Sequence, residues 1–330
     1  MSVSRISGKA VIAIFAAMSL ATACTKDSSE EDRKEQELRY FNIYAESRYP
    51  GAELTEEGFY YIEHKAGTGV TPGNEDWMLV NHVGYEIPED KVFVSYIKNV
   101  VEDNNLDSKG TALYGPYKMQ NGSQNEGFTK GVSMMKEGGK ATFLFTSDLG
   151  YGNNGNSRVG AYASLKYEVE LMEVIPDMDA YERAKIDAYL DTIPEYVTIQ
   201  DSDTESEMYL IMDYATDGQL IENDSAVSLA YKGQLLDGRV FDEAGSDEPL
   251  EFTMGEAEFI TGWDLALTRL REGEKARLVI PYPLAYGILG ETDPGTGLRV
   301  IPPYETLLFE IEVLKVGGET EDNNGLPVEQ

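Results

Sequence analysis

Two stretches of this chain are versions of each other. F-T-K-G-V-S-M-M-K-E-G-G-K-A-T-F-L-F-T-S-D-L-G-Y-G (128–152) lies against W-D-L-A-L-T-R-L-R-E-G-E-K-A-R-L-V-I-P-Y-P-L-A-Y-G (263–287) at one constant offset and without a gap. V-G-A-Y-A-S-L-K-Y-E-V-E-L-M-E-V (159–174) likewise matches 301–316. A duplication constrains the fold more than composition does, because the architecture has to be built from a unit that occurs twice. Each copy is preceded by a helical pattern. Asp179 and Glu182 have capping-box spacing, Ile186, Tyr189, Leu190 and Ile193 follow on one face, and Pro194 stops the run. The earlier counterpart runs from Glu31 to Tyr49, with Leu38, Phe41 and Ala45 on one face and Pro50 as its stop. Both stripes are expected to dock on the adjoining unit or on each other.

In the second copy, Tyr231, Phe241, Phe252, Phe259, Ile260, Trp263, Tyr286, Ile301 and Phe309 recur at spacings that, on a curved antiparallel sheet, line one apolar pocket, with the carboxylate of Asp242 among them. Alternating aromatics on strands ordinarily mark a plain core face. A carboxylate in such a set argues for more, since burying it is costly unless it is hydrogen-bonded. The segments V-S-L-A-Y-K-G-Q-L-L-D-G-R-V-F-D (227–242), E-F-I-T-G-W-D-L-A-L (258–267), P-L-A-Y-G (283–287) and I-P-P-Y-E-T-L-L-F-E-I-E-V-L (301–314) resemble, in order, the FKBP-type peptidyl-prolyl isomerases.

That resemblance implies an α+β fold of two FKBP-like units, each a curved antiparallel β-sheet wrapped on a short α-helix. It implies roles as well. Tyr231, Asp242, Trp263 and Tyr286 carry catalysis: a wall tyrosine, the pocket aspartate, the floor, and the hydroxyl that contacts the substrate carbonyl. Phe241, Phe252, Phe259, Ile260, Ile301 and Phe309 bind substrate, Ile260 through its backbone N–H. The implied chemistry is rotation about a prolyl amide, with no cofactor, no metal, no nucleophile and no proton transfer. The stretch 288–300 is longer than the usual loop of the family and is expected to hang over the pocket mouth, where it would influence substrate preference.

The first copy reads as a degenerate version. Val83 and Phe93 have the spacing of Tyr231 and Phe241, so Val83 takes the place of the wall tyrosine. Val94 then replaces the aspartate, Phe128 the tryptophan and Tyr167 the far-wall phenylalanine, while Tyr151 keeps the position of Tyr286. A polar insertion from about Lys98 to Asn125 distinguishes this copy further.

The first residues read as an export signal. Arg5 and Lys9 precede an apolar run from Ala10 to Leu20 that is too short to span a bilayer, and Ala21-Thr22-Ala23-Cys24 resembles a lipobox. Cys24 is the only cysteine, so it has no disulfide partner within the chain and is expected to carry lipid; simple cleavage is the alternative. The reading places the protein in a bacterial cell envelope, lipid-anchored in the outer membrane on its periplasmic or surface face. A net charge of −32 excludes the basic face that nucleic acid requires. With one cysteine and two histidines, His64 and His82, the chain lacks ligands for zinc or a Cys–His pair for catalysis.

The expected layout is a signal peptide (1–23), a tether and helix (24–56), a degenerate FKBP-like domain (57–175), a helical linker (176–203), the isomerase domain (204–317) and a disordered tail (318–330). The expected function is isomerisation of prolyl bonds in exported polypeptides by the second copy. The rival is a non-catalytic peptide-binding or chaperone-like scaffold of the cell envelope.

Overall fold

A computed structural model describes residues 29–110 and 112–318. The expected signal segment, Cys24 and the tail 319–330 lie outside the described residues.

The first unit opens with α1 (Glu30–Arg48). Ser29 and Asp32 close a reciprocal capping box, each accepting the other's backbone N–H at 3.1 Å, which starts the helix cleanly. Its buried face is Glu37, Phe41, Tyr44 and Ala45, whereas Leu38 is half-exposed on the solvent side. Phe41 and Ala45 of the expected stripe are buried, and only its first slot differs, where the carboxylate of Glu37 stands in place of Leu38. Glu37 is tolerated there because it accepts from the Ser147 amide (2.5 Å), the Ser147 hydroxyl (2.7 Å) and the Ser164 hydroxyl (2.8 Å).

Then come β1 (Tyr60–Lys65), β2 (Trp77–Ile87), β3 (Lys91–Ser95), α2 (Lys98–Asp103), β4 (Tyr117–Gln120), α3 (Glu126–Ser133), β5 (Lys140–Phe145) and β6 (Ser164–Ile175). The sheet runs β1-β5-β6-β2-β3, with β4 also on β2, and every pairing is antiparallel. Its concave face closes on α3, whose Phe128 and Val132 are fully buried with Phe143, Phe145 and Leu171. Each such side chain contributes about 1.5–3 kcal/mol on burial.

The second unit follows α4 (Met178–Leu190) and comprises β7 (Val197–Gln200), β8 (Glu207–Tyr214), β9 (Ser225–Leu235), β10 (Val240–Ala244), β11 (Leu250–Thr253), α5 (Thr261–Leu267), β12 (Lys275–Ile280), β13 (Glu291–Thr292), β14 (Arg299–Ile301) and β15 (Leu307–Gly318). Its sheet runs β8-β12-β15-β9-β10 with β11 on β9, the order of the first sheet element for element. β7 adds an edge to β8, so part of the expected linker belongs to the second sheet. The duplication is therefore structural. Matched glycines serve both units: a Cβ on Gly127 would lie 2.5 Å from the Phe145 ring, and one on Gly262 would lie 2.4 Å from Ile280, so each helix sits closer to its sheet than any side chain would allow.

The helix α4 is capped by Asp177, which accepts from the Ala180 amide at 2.9 Å, and not by the expected Asp179–Glu182 box. Glu182 has another task. It and Glu305 each lie 2.7 Å from the ammonium of Lys118 on β4, all three side chains 3% exposed, and Lys185 completes the cluster. This buried network joins the units. The insertion expected to be a polar loop does so too, for Leu113 packs into the core of the second unit.

Candidate active site

The pocket forms where β9, β10, β15 and α5 meet. Period-2 alternation sets Tyr231 and Gly233 on the same face of β9, opposite Ile311 and Phe309 of β15. Gly233 is small for a reason: a Cβ there would lie 2.7 Å from the Phe241 ring and 2.9 Å from Phe309. The register of β10 slips between Val240 and Asp242, and this bulge lets the successive residues Phe241 and Asp242 both reach the cavity. Ile260 stands extended at the N-terminus of α5, where its carbonyl accepts from the Trp263 amide at 2.9 Å. That turn aims the indole into the sheet.

The resulting cavity of ≈ 420 Å³ is lined by Tyr231, Phe241, Asp242, Leu250, Glu258, Phe259, Ile260, Trp263, Tyr286 and Phe309. Trp263, 4% exposed, is the floor, with ring centroids of Tyr231, Phe259 and Phe309 at 5.2, 5.1 and 5.1 Å. Its indole N–H has no partner among the described residues, an unmet donor that costs on the order of 1–3 kcal/mol. The rim is polar. Asp242 is exposed and accepts from the Tyr231 hydroxyl at 2.5 Å, so its charge is never buried in the apolar set as the sequence had suggested. Burial first, and the bond to Asp242 second, raise the Tyr231 phenol above its ordinary value. Burial raises Tyr286 as well, so its hydroxyl, protonated at neutral pH in any case, stays a donor into more alkaline solution.

Two of the expected residues stand outside the lining. Ile301 is 1% exposed in the core, and Phe252 backs the wall edge-on to Phe259 at 4.7 Å. Leu250 and Glu258 were missed. Leu250 was legible in principle, because it shares a strand face with Phe252; Glu258 carries no such pattern. The long segment also departs from expectation. No residue from 288 to 300 lines the cavity, and Leu298 is wholly buried against Tyr96, Val101 and Ala112 of the first unit.

At the equivalent place the first unit is filled. Gly84 pairs with Tyr167 as Gly233 pairs with Phe309, and with Val94 as Gly233 does with Asp242. His82 therefore stands at the position of Tyr231. The expected Val83 faces the other side of the sheet, near Tyr49 and His64. The cause is hairpin length: ten positions separate Gly84 from Val94 but nine separate Gly233 from Asp242, so a spacing counted across the turn slips by one. His82 is ringed by Tyr96, Tyr117, Phe128 and Tyr167, with centroids 5.7–6.3 Å away, and burial pushes its pKa down to about 4. Phe128 and Tyr167, each 1% exposed, fill the rest.

A sequence profile described as FKBP-type peptidyl-prolyl cis-trans isomerase matches residues 86–172 and 218–314. The chain is 36% identical over 100 residues to "FK506-binding protein 4" of Rhizopus delemar, a match covering 30% of this chain and 25% of that protein. It is 41% identical over 96 residues to "Peptidyl-prolyl cis-trans isomerase Fkbp12" of Drosophila melanogaster, covering 29% of this chain and 83% of that one. It is 43% identical over 91 residues to "FK506-binding protein 1" of Saccharomyces cerevisiae, covering 27% and 75%. The chain thus spans a quarter of the first of these relatives and most of the two smaller ones. With an aromatic pocket built on one copy of a duplicated sheet-and-helix unit, and with the profile matching both copies over more than half of its length, the chain belongs to the FKBP-type peptidyl-prolyl cis-trans isomerase family.

Proposed function

We propose that the second unit is a peptidyl-prolyl cis-trans isomerase acting on exported polypeptides, and that the first unit has no catalytic role. The observation that carries this is the contrast at matched positions: an open cavity of ≈ 420 Å³ over Trp263, against a site closed by His82, Phe128 and Tyr167. Rotation of the prolyl amide faces a barrier of roughly 18–20 kcal/mol. The planar amide is more charge-separated than the twisted one, so a dry aromatic box raises the planar state relative to the transition state. The rings of Phe241, Trp263 and Phe309 hold the prolyl side, while the Tyr286 hydroxyl and the Ile260 N–H hold the carbonyl as the bond turns. An acceleration of about 10⁴ to 10⁶ requires on the order of 5–8 kcal/mol, within reach of a few such contacts.

The mature protein is held in the cell envelope by lipid on Cys24, in keeping with Arg5, Lys9 and the apolar run that precede it. Among the described residues no helix is long and apolar enough to cross a membrane. Proline-limited refolding or peptide isomerisation by the full mature chain tests the activity: acceleration is expected, and binding of proline peptides without acceleration overturns it in favour of a scaffold. Metabolic labelling with a fatty-acid analogue tests the anchor, with label expected in the wild type and lost in Cys24→Ala.

A further inference from the structure

The rim of the second pocket is held both from its own unit and from the first. The Gly290 amide donates to the Tyr286 carbonyl and the Tyr304 amide to the Gly287 carbonyl, each at 3.1 Å, so residues 286–290 form one tight turn directly after the pocket tyrosine. Its crest carries Ile288 and Leu289, 55% and 72% exposed. Beyond it the chain leaves the pocket and grips the first unit: Asp293 meets the Lys109 ammonium at 3.0 Å, the Thr296 carbonyl accepts from Arg158, and Leu298 is buried. Arg299 is the joint. Its guanidinium donates to the Leu289 carbonyl on one side and to the Tyr117 hydroxyl at 3.2 Å on the other, and its amide meets the Tyr96 hydroxyl at 3.4 Å. Tyr96 and Tyr117 are stacked at 4.3 Å beside His82, on the filled site of the first unit.

We propose that the first unit is a positioning module for the second unit's pocket: Tyr96 and Tyr117 hold Arg299, Arg299 holds the Leu289 carbonyl, and the turn so fixed presents Tyr286 together with an apolar lip, Ile288 and Leu289, to an apolar residue flanking the substrate proline. This rests on the isomerase reading and deepens it. The backbone bonds of the second unit close the turn but leave its crest, with two exposed aliphatic side chains, to be ordered by each substrate unless Arg299 ties the Leu289 carbonyl. Ordering it in advance removes that cost from binding. The same contacts explain why a filled, non-catalytic unit stays docked: its former pocket mouth has become the seat of the loop.

The test uses the full mature chain. Tyr96→Phe/Tyr117→Phe deletes the two hydroxyls and keeps both rings and their stack, and neither residue lines the second cavity. The readouts are kcat/KM for proline peptides carrying leucine, alanine or glutamate beside the proline, and amide hydrogen exchange of residues 286–291. The preference for leucine over alanine is expected to fall about fivefold, chiefly through KM, while the alanine peptides change by less than about twofold and exchange of the Gly290 amide accelerates. Arg299→Ala is expected to give the same pattern more strongly, and supplies a second route if the double variant unfolds. An unchanged leucine-to-alanine ratio with unchanged exchange overturns the clamp, as does an equal loss for every peptide. Absence of turnover in the wild type overturns the isomerase reading itself, and exchange alone then decides whether the first unit holds the turn.

Discussion

The two units share strand order, paired glycines at 84 and 233, and a helix set against the same face of the sheet, yet one encloses a cavity and the other a packed core. Six of the pocket substitutions that separate them are Tyr231 against His82, Asp242 against Val94, Trp263 against Phe128, Phe309 against Tyr167, Ile260 against Asn125 and Leu250 against Tyr117. Backbone geometry therefore does not decide whether a site exists; the side chains on it do. Filling the site also changes its outer surface. Where the second unit shows a polar rim around Asp242, the first shows Val94 and Tyr96, against which another element can pack.

Truncating the two floors should separate stability from activity. Trp263→Ala and Phe128→Ala each remove a buried aromatic and should cost about 3–5 kcal/mol of folding free energy, read by urea unfolding. Only Trp263→Ala should abolish isomerisation at a temperature where both variants remain folded. Equal loss of turnover in Phe128→Ala would erase the distinction between the units.

Lys118→Ala attacks their junction. It leaves Glu182 and Glu305 buried with only the less buried Lys185 for compensation, and should destabilise the docked pair by about 3 kcal/mol. Neutralising Glu182 in the same chain should recover part of that loss in a double-mutant cycle. Purely additive effects would show that the cluster is not coupled.

Acid should weaken the first unit selectively, because the buried His82 belongs to it. Folding holds His82 neutral with a pKa of about 4, against 6.5 when unfolded, so the unfolded state binds more protons between those values. The stability from His82 is thus fully present above pH 6.5 and falls away as pH drops toward 4, by about 2–3 kcal/mol. Hydrogen exchange at pH 7 and 4.5 should reveal this in β2 and β6, and His82→Phe should remove it. Equal acid sensitivity of β9 and β15 would point to a cause other than His82.

Much of this architecture was legible because its signals are local. The gapless repeat pointed to two units, strand alternation put aromatics on one face, and eight of the ten expected pocket residues line the cavity. What escaped depends on partners distant in sequence. His82 was hidden by one extra residue in a hairpin, Glu37 by the serines at 147 and 164 that satisfy it, and Ile301 by burial that its neighbours in sequence do not signal. The insertion looked solvated because three of its apolar residues, Val101, Ala112 and Leu113, find their partners in Leu298 and the second core.

The most direct measurement uses the one polar pocket side chain both units retain. Tyr286 and Tyr151 occupy matched positions, the first at the rim of the open cavity and the second against Phe93 at 6.3 Å. In the full mature chain, Tyr286→Phe deletes a hydroxyl at the cavity and should lower kcat/KM for a proline peptide about tenfold with little change in melting temperature. Tyr151→Phe should leave kcat/KM at the wild-type value. A loss in Tyr151→Phe equal to that in Tyr286→Phe, or no loss in Tyr286→Phe, would contradict the assignment of activity to the second unit alone.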